Sequence, residues 1–168
     1  MVEDPQVIRR SRRRVLSSQQ QLRAAVVEVT GVASRMLSIF THDLEPAIYS
    51  HDDFLEAAKR FVLSRSFTRV RVLIADPRRA MKGSNRFVTM GRRLNSYIEF
   101  RHLHEELRTY REAYLIADDS ALVYRADSER WDGLSDTFEP GVARKYLTCF
   151  DELWTACEPA QELRELRI

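Results

Sequence analysis

From Gln19 to Arg101 amphipathic stripes alternate with short apolar runs, and that order leaves few folds open. Ser17 or Ser18 caps a predicted helix beginning near Gln19, with Leu22, Val26, Val29 and Ala33 on one face; Gly31 blurs its end. Met36-Leu37-Ser38-Ile39-Phe40, inside Arg35 to Thr41, has the length of a buried strand, and His42-Asp43 ends it. Asp52 or Asp53 caps a second helix, whose stripe of Phe54, Leu55, Ala58, Phe61 and Val62 runs up to Arg65. Arg69 to Asp76 alternates at its start, turns apolar at its end and is stopped by Pro77. Phe87, Met90, Gly91 and Leu94 predict a helix over about Asn85 to Asn95, and Tyr97 to Arg101 a further strand.

The second part of the chain breaks this alternation. His102 to Tyr110 is polar, with room for one helical turn. Ala113 to Ala117 and Ala121 to Arg125 then form a predicted hairpin around Asp118-Asp119-Ser120. A polar stretch leads to Glu139, and Pro140 opens a last helix with Val142, Tyr146, Leu147, Phe150, Leu153 and Trp154 facing inward. The expected architecture is α/β: a single mixed, mostly parallel sheet of about five strands, helices on both faces and the hairpin as an antiparallel edge. The 168 residues, 44% apolar and 31% charged, suit one domain over residues 17–168.

Residues 1–16 read as a basic, flexible N-terminal arm, with Arg9, Arg10, Arg12, Arg13 and Arg14 against Glu3 and Asp4. Of 27 basic residues only Lys59, Lys82 and Lys145 are lysine, leaving 24 arginines, a bias that a GC-rich genome also produces. No run approaches the ~20 apolar residues of a membrane span and the N-terminus lacks a signal-peptide core, so a cytoplasmic location is expected. Cys149 and Cys157 are too far apart along one helix to bridge.

Leu-Ile-Ala-Asp occurs twice, at Leu73 to Asp76 and at Leu115 to Asp118, each time closing an apolar run. In a parallel sheet the strand ends gather His42, Asp43, Asp76, Arg78, Arg79, Arg101, His102 and His104 at one edge, where α/β proteins bind ligands. Lys82 and Asn85, ahead of a helix N-terminus, extend this set toward an anion. His102 and His104, two apart on extended backbone, would point the same way and face Glu105 or Asp43, but this pattern falls short of a ligand set; no metal and no cofactor are assigned. Ser17, His42 and Asp43 make no nucleophilic triad, and the five glycines form no phosphate loop. Trp131, Tyr110 and Tyr124 are aromatic enough to stack on bases, and the arm arginines suit phosphates.

Arg71 to Asp76, Arg92 to Arg101, Glu112 to Asp118, Phe150 to Trp154 and the closing Glu162-Leu163-Arg164-Glu165-Leu166 resemble an uncharacterised bacterial domain family related to the phospholipase-D-like fold, over about residues 18–168. Active members of that superfamily carry His-x-Lys-x4-Asp, in which the histidine attacks phosphorus, the lysine binds phosphate oxygens and the acid supports the site. In register with Asp118, the histidine position is Arg111 and the lysine position Ala113; in register with Asp119 they are Glu112 and Tyr114. No His-x-Lys occurs in the chain, so no catalytic residue is assigned, and Asp118 reads as a hairpin residue. The resemblance implies a non-catalytic phospholipase-D-like domain that binds or regulates, with an anionic ligand or nucleic acid as its partner, and a homodimer of paired sheets. Two other expectations stand beside it: a phosphodiesterase or phosphoryl-transfer enzyme with a site rearranged onto His42, Asp76, His102 and His104, and a protein-interaction module.

Overall fold

The computed structural model describes residues 10–82, 85–107 and 110–160. In chain order the elements are β1 (Arg14–Leu16), α1 (Gln19–Val32), β2 (Met36–Thr41), α2 (Pro46–Tyr49), α3 (Asp52–Ser64), β3 (Arg69–Ile74), α4 (Pro77–Met81), α5 (Arg86–Arg93), β4 (Ile98–His102), a 3-10 turn (Glu105–Leu107), β5 (Ala113–Ala117), β6 (Ala121–Arg125), β7 (Gly133–Asp136), α6 (Pro140–Ala156) and β8 (Glu158–Pro159). The sheet order is β1-β7-β6-β5-β2-β3-β4-β8.

The mixed α/β sheet is as expected, but among the described residues it holds eight strands rather than about five, and it is mostly antiparallel. Among the described residues β2–β3 and β3–β4 pair parallel, because these are the neighbouring strands joined by helical crossovers, whereas α1 and α6 lead to strands elsewhere in the sheet; the other five pairings are antiparallel. β7 lies in the stretch read as polar, where Gly133-Leu134-Ser135-Asp136 offers a single large apolar side chain. β1 lies within residues read as a flexible arm. Its Leu16 is buried, Ser11 Oγ donates to Asp136 at 2.9 Å, and Arg12 N donates to Thr137 Oγ1 at 3.0 Å. Arg14 to Leu16 of the arm are therefore a strand of the sheet, and Arg10 to Arg12 are hydrogen-bonded beside it; Arg9 lies outside the described residues.

Strand alternation sends Leu37, Ile39, Val70, Val72, Leu115 and Val123 to one face, where they pack against α1, α3 and α5. Phe40, Leu73, Tyr114, Ile116 and Leu122 go to the other, covered by α6 through Ala143, Phe150 and Trp154. Burying a side chain such as Phe54 or Phe87 contributes roughly 1.5–3 kcal/mol each, so the larger cluster anchors the fold. Gly91 lets α5 lie directly on β4, since a β-carbon there would collide with the Phe100 ring. Two local expectations change. His51, not Asp52 or Asp53, caps α3 by accepting from Asp53 N, and the two acids instead sit in the first turn, where the helix dipole favours them. Val142 faces out at 42% exposure because the inner stripe of α6 runs through Ala143.

Candidate functional site

The strand-end edge is built from the turns after β2, β3 and β4 and the loops flanking β5 and β6. After β2, Thr41 Oγ1 accepts from Leu44 N at 3.2 Å, holding Leu44 at φ 56°. His42 O accepts from Asp76 N at 2.7 Å, which brings the first two turns side by side. Asp76 caps α4 by accepting from Arg79 N at 3.3 Å, and Arg79 Nε lies 3.7 Å from Asp43. His42, Asp43, Asp76 and Arg79 are thus gathered as the sequence suggested, with Arg78 exposed beside them.

Some of the backbone amides available to an anion are occupied within the chain. The first turn of α4 is capped by Asp76, and Asn85 Oδ1 accepts from both Phe87 N at 3.0 Å and Val88 N at 3.1 Å at the start of α5. Each of these ends already carries an intrachain acceptor.

Arg101 leaves the edge altogether. Its guanidinium lies 4.3 Å over the Trp154 ring and donates to the Trp154 carbonyl at 2.7 Å, closing the C-terminal end of α6. Because Arg101 faces α6, His102 next to it in β4 faces the opposite side, while His104 Nε2 lies 3.2 Å from the Ala156 carbonyl. The two histidines therefore do not point the same way. Among the described residues no group of three His, Cys, Asp or Glu side chains is placed to hold a metal ion.

The strongest polar feature of this edge is a pair that sequence reasoning missed. Arg125, at the end of β6, is ion-paired with Glu45, and both side chains are largely buried (4% and 14% exposed). Its Nη1 also donates to the carbonyls of Ser128 at 3.2 Å and Arg130 at 3.1 Å, so its charge and donors are satisfied locally. Arg125 stands opposite Ala113 in the β5–β6 register. The signal was its parity: Ala121, Val123 and Arg125 alternate onto the core face, and a charge at a core position demands a buried partner. Nothing in the sequence singles out Glu45. Beside the pair, burial and then the Glu45 charge push the Tyr49 phenol well above its ordinary pKa, with Arg125 pulling the other way.

Asp118 lies at the opposite edge, in the β5–β6 turn with φ 55°. Its carboxylate accepts from Ser34 N at 3.1 Å, Arg35 N at 2.8 Å and Met36 N at 3.0 Å, tying the hairpin to the start of β2. It is indeed a hairpin residue, with the added task of satisfying three amides. Of the aromatic trio, Tyr124 is half-buried and donates to Glu112 at 2.6 Å, whereas Tyr110 and Trp131 are exposed.

A family model described as a domain of unknown function, DUF7931, matches residues 18–166. The chain belongs to that family. No curated relative matches the chain. Solved structures resemble it at low identity. Nuc from Salmonella typhimurium, a phospholipase D family member, is 16% identical over 89% of this chain and 98% of that one, with a TM-score of 0.62. TrmBL2, an archaeal chromatin protein whose structure shows a mode of DNA binding, is 15% identical over 95% of this chain and 57% of its own, also at 0.62. Phosphatidylserine synthase from Haemophilus influenzae Rd KW20 is 13% identical over 93% of this chain and 39% of its own, at 0.63. This DUF7931 domain has the phospholipase-D-like fold. No helix among its described residues is long and apolar enough to cross a membrane.

Proposed function

We propose that this domain binds its ligand without cleaving it, as a non-catalytic phospholipase-D-like module. The observation that carries the reading is the structure around Ala113. At the position of the superfamily's phosphate-binding lysine this residue has no side-chain nitrogen, and Arg125 opposite it is committed to Glu45 and two carbonyls. At the position of the attacking histidine stands Arg111, whose guanidinium is a fork of N–H donors with no acceptor and so offers no nucleophilic nitrogen. The ligand of such a module would be anionic, and nucleic acid is one such anion. The test is incubation of the full chain with phosphodiester and phosphomonoester substrates and divalent metals. No turnover is expected; turnover lost in His102→Ala or His104→Ala would replace the reading with a hydrolase whose site has been rearranged.

A protein-interaction role is favoured by a separate observation. Val15, Leu134, Phe138 and Val142 are among the exposed large apolar side chains, and Leu134 and Val142 line one cavity of about 230 Å³ beside Tyr146. A reproducible partner from a native lysate, lost in Leu134→Asp, would support it.

A further inference from the structure

The edge where the parallel strands begin is as basic as the other is acidic. Residues 10–13, 33–35, 65–69, 92–97, 118–120 and 136–139 form it and carry eight arginines against four carboxylates. At the strand-end edge, residues 42–51, 75–82, 103–107, 110–112 and 126–132 carry nine carboxylates against five Arg or Lys. A coding bias toward arginine would enrich both edges alike.

The basic edge is one continuous surface, traced by hydrogen bonds. Thr137 Oγ1 donates to Arg10 O, Glu139 N to Ser120 O at 2.7 Å, Asp118 N to Met36 O at 2.7 Å, Arg69 N to Arg35 O at 3.0 Å and Val70 N to Tyr97 O at 2.8 Å. Three of its four acids are engaged: Asp118 by amides, Asp119 by Arg144 and Asp136 by Ser11 and Phe138 N. Among the described residues no carboxylate pairs with Arg35, Arg65, Arg69 or Arg93. Arginines also lie over exposed or half-exposed rings here, Arg65 at 5.8 Å from the Phe67 centroid and Arg69 at 5.5 Å from that of Tyr97. Phe67 is 51% exposed. An open cavity of about 380 Å³ follows, lined by Arg69, Arg71, Asn95, Tyr97 and Glu99; Arg71 itself is paired with Asp151 at 2.8 Å.

We infer that the strand-start edge is a surface for single-stranded nucleic acid, its arginines on the phosphates and Phe67 and Tyr97 against the bases. Arginine suits phosphate through paired donors, and an exposed ring stacks on any unpaired base. A duplex fits less well: α1, α3 and α5 meet this edge with their C-terminal ends, so none lays a flank into a major groove. The inference rests on the reading of the domain as a binding module and names both its ligand and its surface.

The experiment is fluorescence anisotropy of the full chain with a labelled oligothymidylate of ~20 nucleotides, from about 50 to 200 mM salt. Wild type should bind with a strong salt dependence. The combined variant Arg35→Gln, Arg65→Gln, Arg69→Gln and Arg93→Gln should lose more than ~10-fold and flatten the log–log salt slope by up to about 3, at roughly 0.7 per phosphate contact. If its thermal melt shows misfolding, Arg65→Gln and Arg93→Gln singly, both at exposed positions, should each flatten the slope by about 0.7. Phe67→Ala should weaken binding about tenfold. Arg78→Gln with Arg79→Gln, at the strand-end edge, should change nothing. Binding abolished by that pair and kept by the basic-edge variants would overturn the inference while leaving the binding-module reading in place. No binding to the oligonucleotide, or preference for a duplex or for phosphatidylserine vesicles, would overturn it too. Cleavage of the probe would instead sink the non-catalytic reading and leave the surface assignment standing.

Discussion

If the strand-start edge binds as inferred above, the two edges of the sheet have exchanged the parts that an α/β fold ordinarily gives them. At the edge where β2, β3 and β4 end, helix N-termini and strand-end turns usually receive a ligand. Here that edge is self-satisfied: Asp76 and Asn85 occupy the amides of α4 and α5, Asp43 lies near Arg79, and Glu45 holds Arg125 beside Ala113. The edge where the strands begin usually serves stability alone. In this chain Asp118 does serve stability there, yet the same edge leaves arginines without acidic partners and a phenylalanine in solvent. A conserved-looking fold therefore does not fix which edge does the work, because the chemistry follows side chains that a few substitutions can move.

The sharpest way to break the contrast is at Arg125. Arg125→Ala leaves Glu45 buried without its partner and releases the carbonyls of Ser128 and Arg130, so a loss of about 3–5 kcal/mol is expected in urea denaturation. Replacing both partners, Arg125→Met with Glu45→Met, should recover most of it, since no stranded charge remains. A small loss in the single variant would mean that the strand-end edge is still solvated and open to a ligand.

At the other edge Asp118→Ala should cost about 2–3 kcal/mol, because the amides of Ser34, Arg35 and Met36 lose one shared acceptor and alanine resists φ 55°. Asp118→Asn keeps an oxygen and tolerates that φ, so it should lose less. The same urea titration checks both, and an equal loss in the two would assign the effect to charge rather than to backbone and acceptor geometry.

How much of this was written in the sequence divides along the same line. Apolar periodicity located β2 to β6 and the long helices, because a buried stripe must repeat with its element's period. It passed over β1, β7 and β8, which are two to four residues long and are held by pairing with neighbours distant in sequence. His42, Asp43, Asp76 and Arg79 did converge, since turns at the ends of adjacent strands must. Arg101, His102 and His104 are not gathered in one cluster, because neighbouring residues on a strand face opposite ways and α6 holds Arg101 and His104. The Glu45–Arg125 pair and the basic edge join residues from separate elements, and only the sheet order brings those elements side by side.

Alkaline pH separates the edges by a smaller effect. Tyr49 and Tyr124, both near the strand-end edge, have phenols raised above their ordinary value, chiefly by burial and then by Glu45 and Glu112 respectively. Their neutral forms stabilise the fold fully below pH ~10, the unfolded value, and that contribution is lost as pH rises further and the unfolded chain ionises first. Unfolding free energy should therefore fall as pH rises above about 10, and Tyr124→Phe should flatten the fall. A curve unaltered by Tyr124→Phe would exclude the Glu112 contact as a source.

The smallest expected effect is at His104, and its smallness is informative. The ring is exposed and touches one carbonyl of α6, so His104→Ala should change stability by less than ~0.5 kcal/mol. It should also leave oligonucleotide affinity at the wild-type value, since Ala156 and the basic edge share no contact through it. Measured alongside Phe67→Ala in the same anisotropy titration, the pair contrasts one exposed ring from each edge. If His104→Ala weakens binding as much as Phe67→Ala does, the ligand spans both edges and their separation fails; if only Phe67→Ala does, the strand-end edge is a sealed remnant of the fold's usual site.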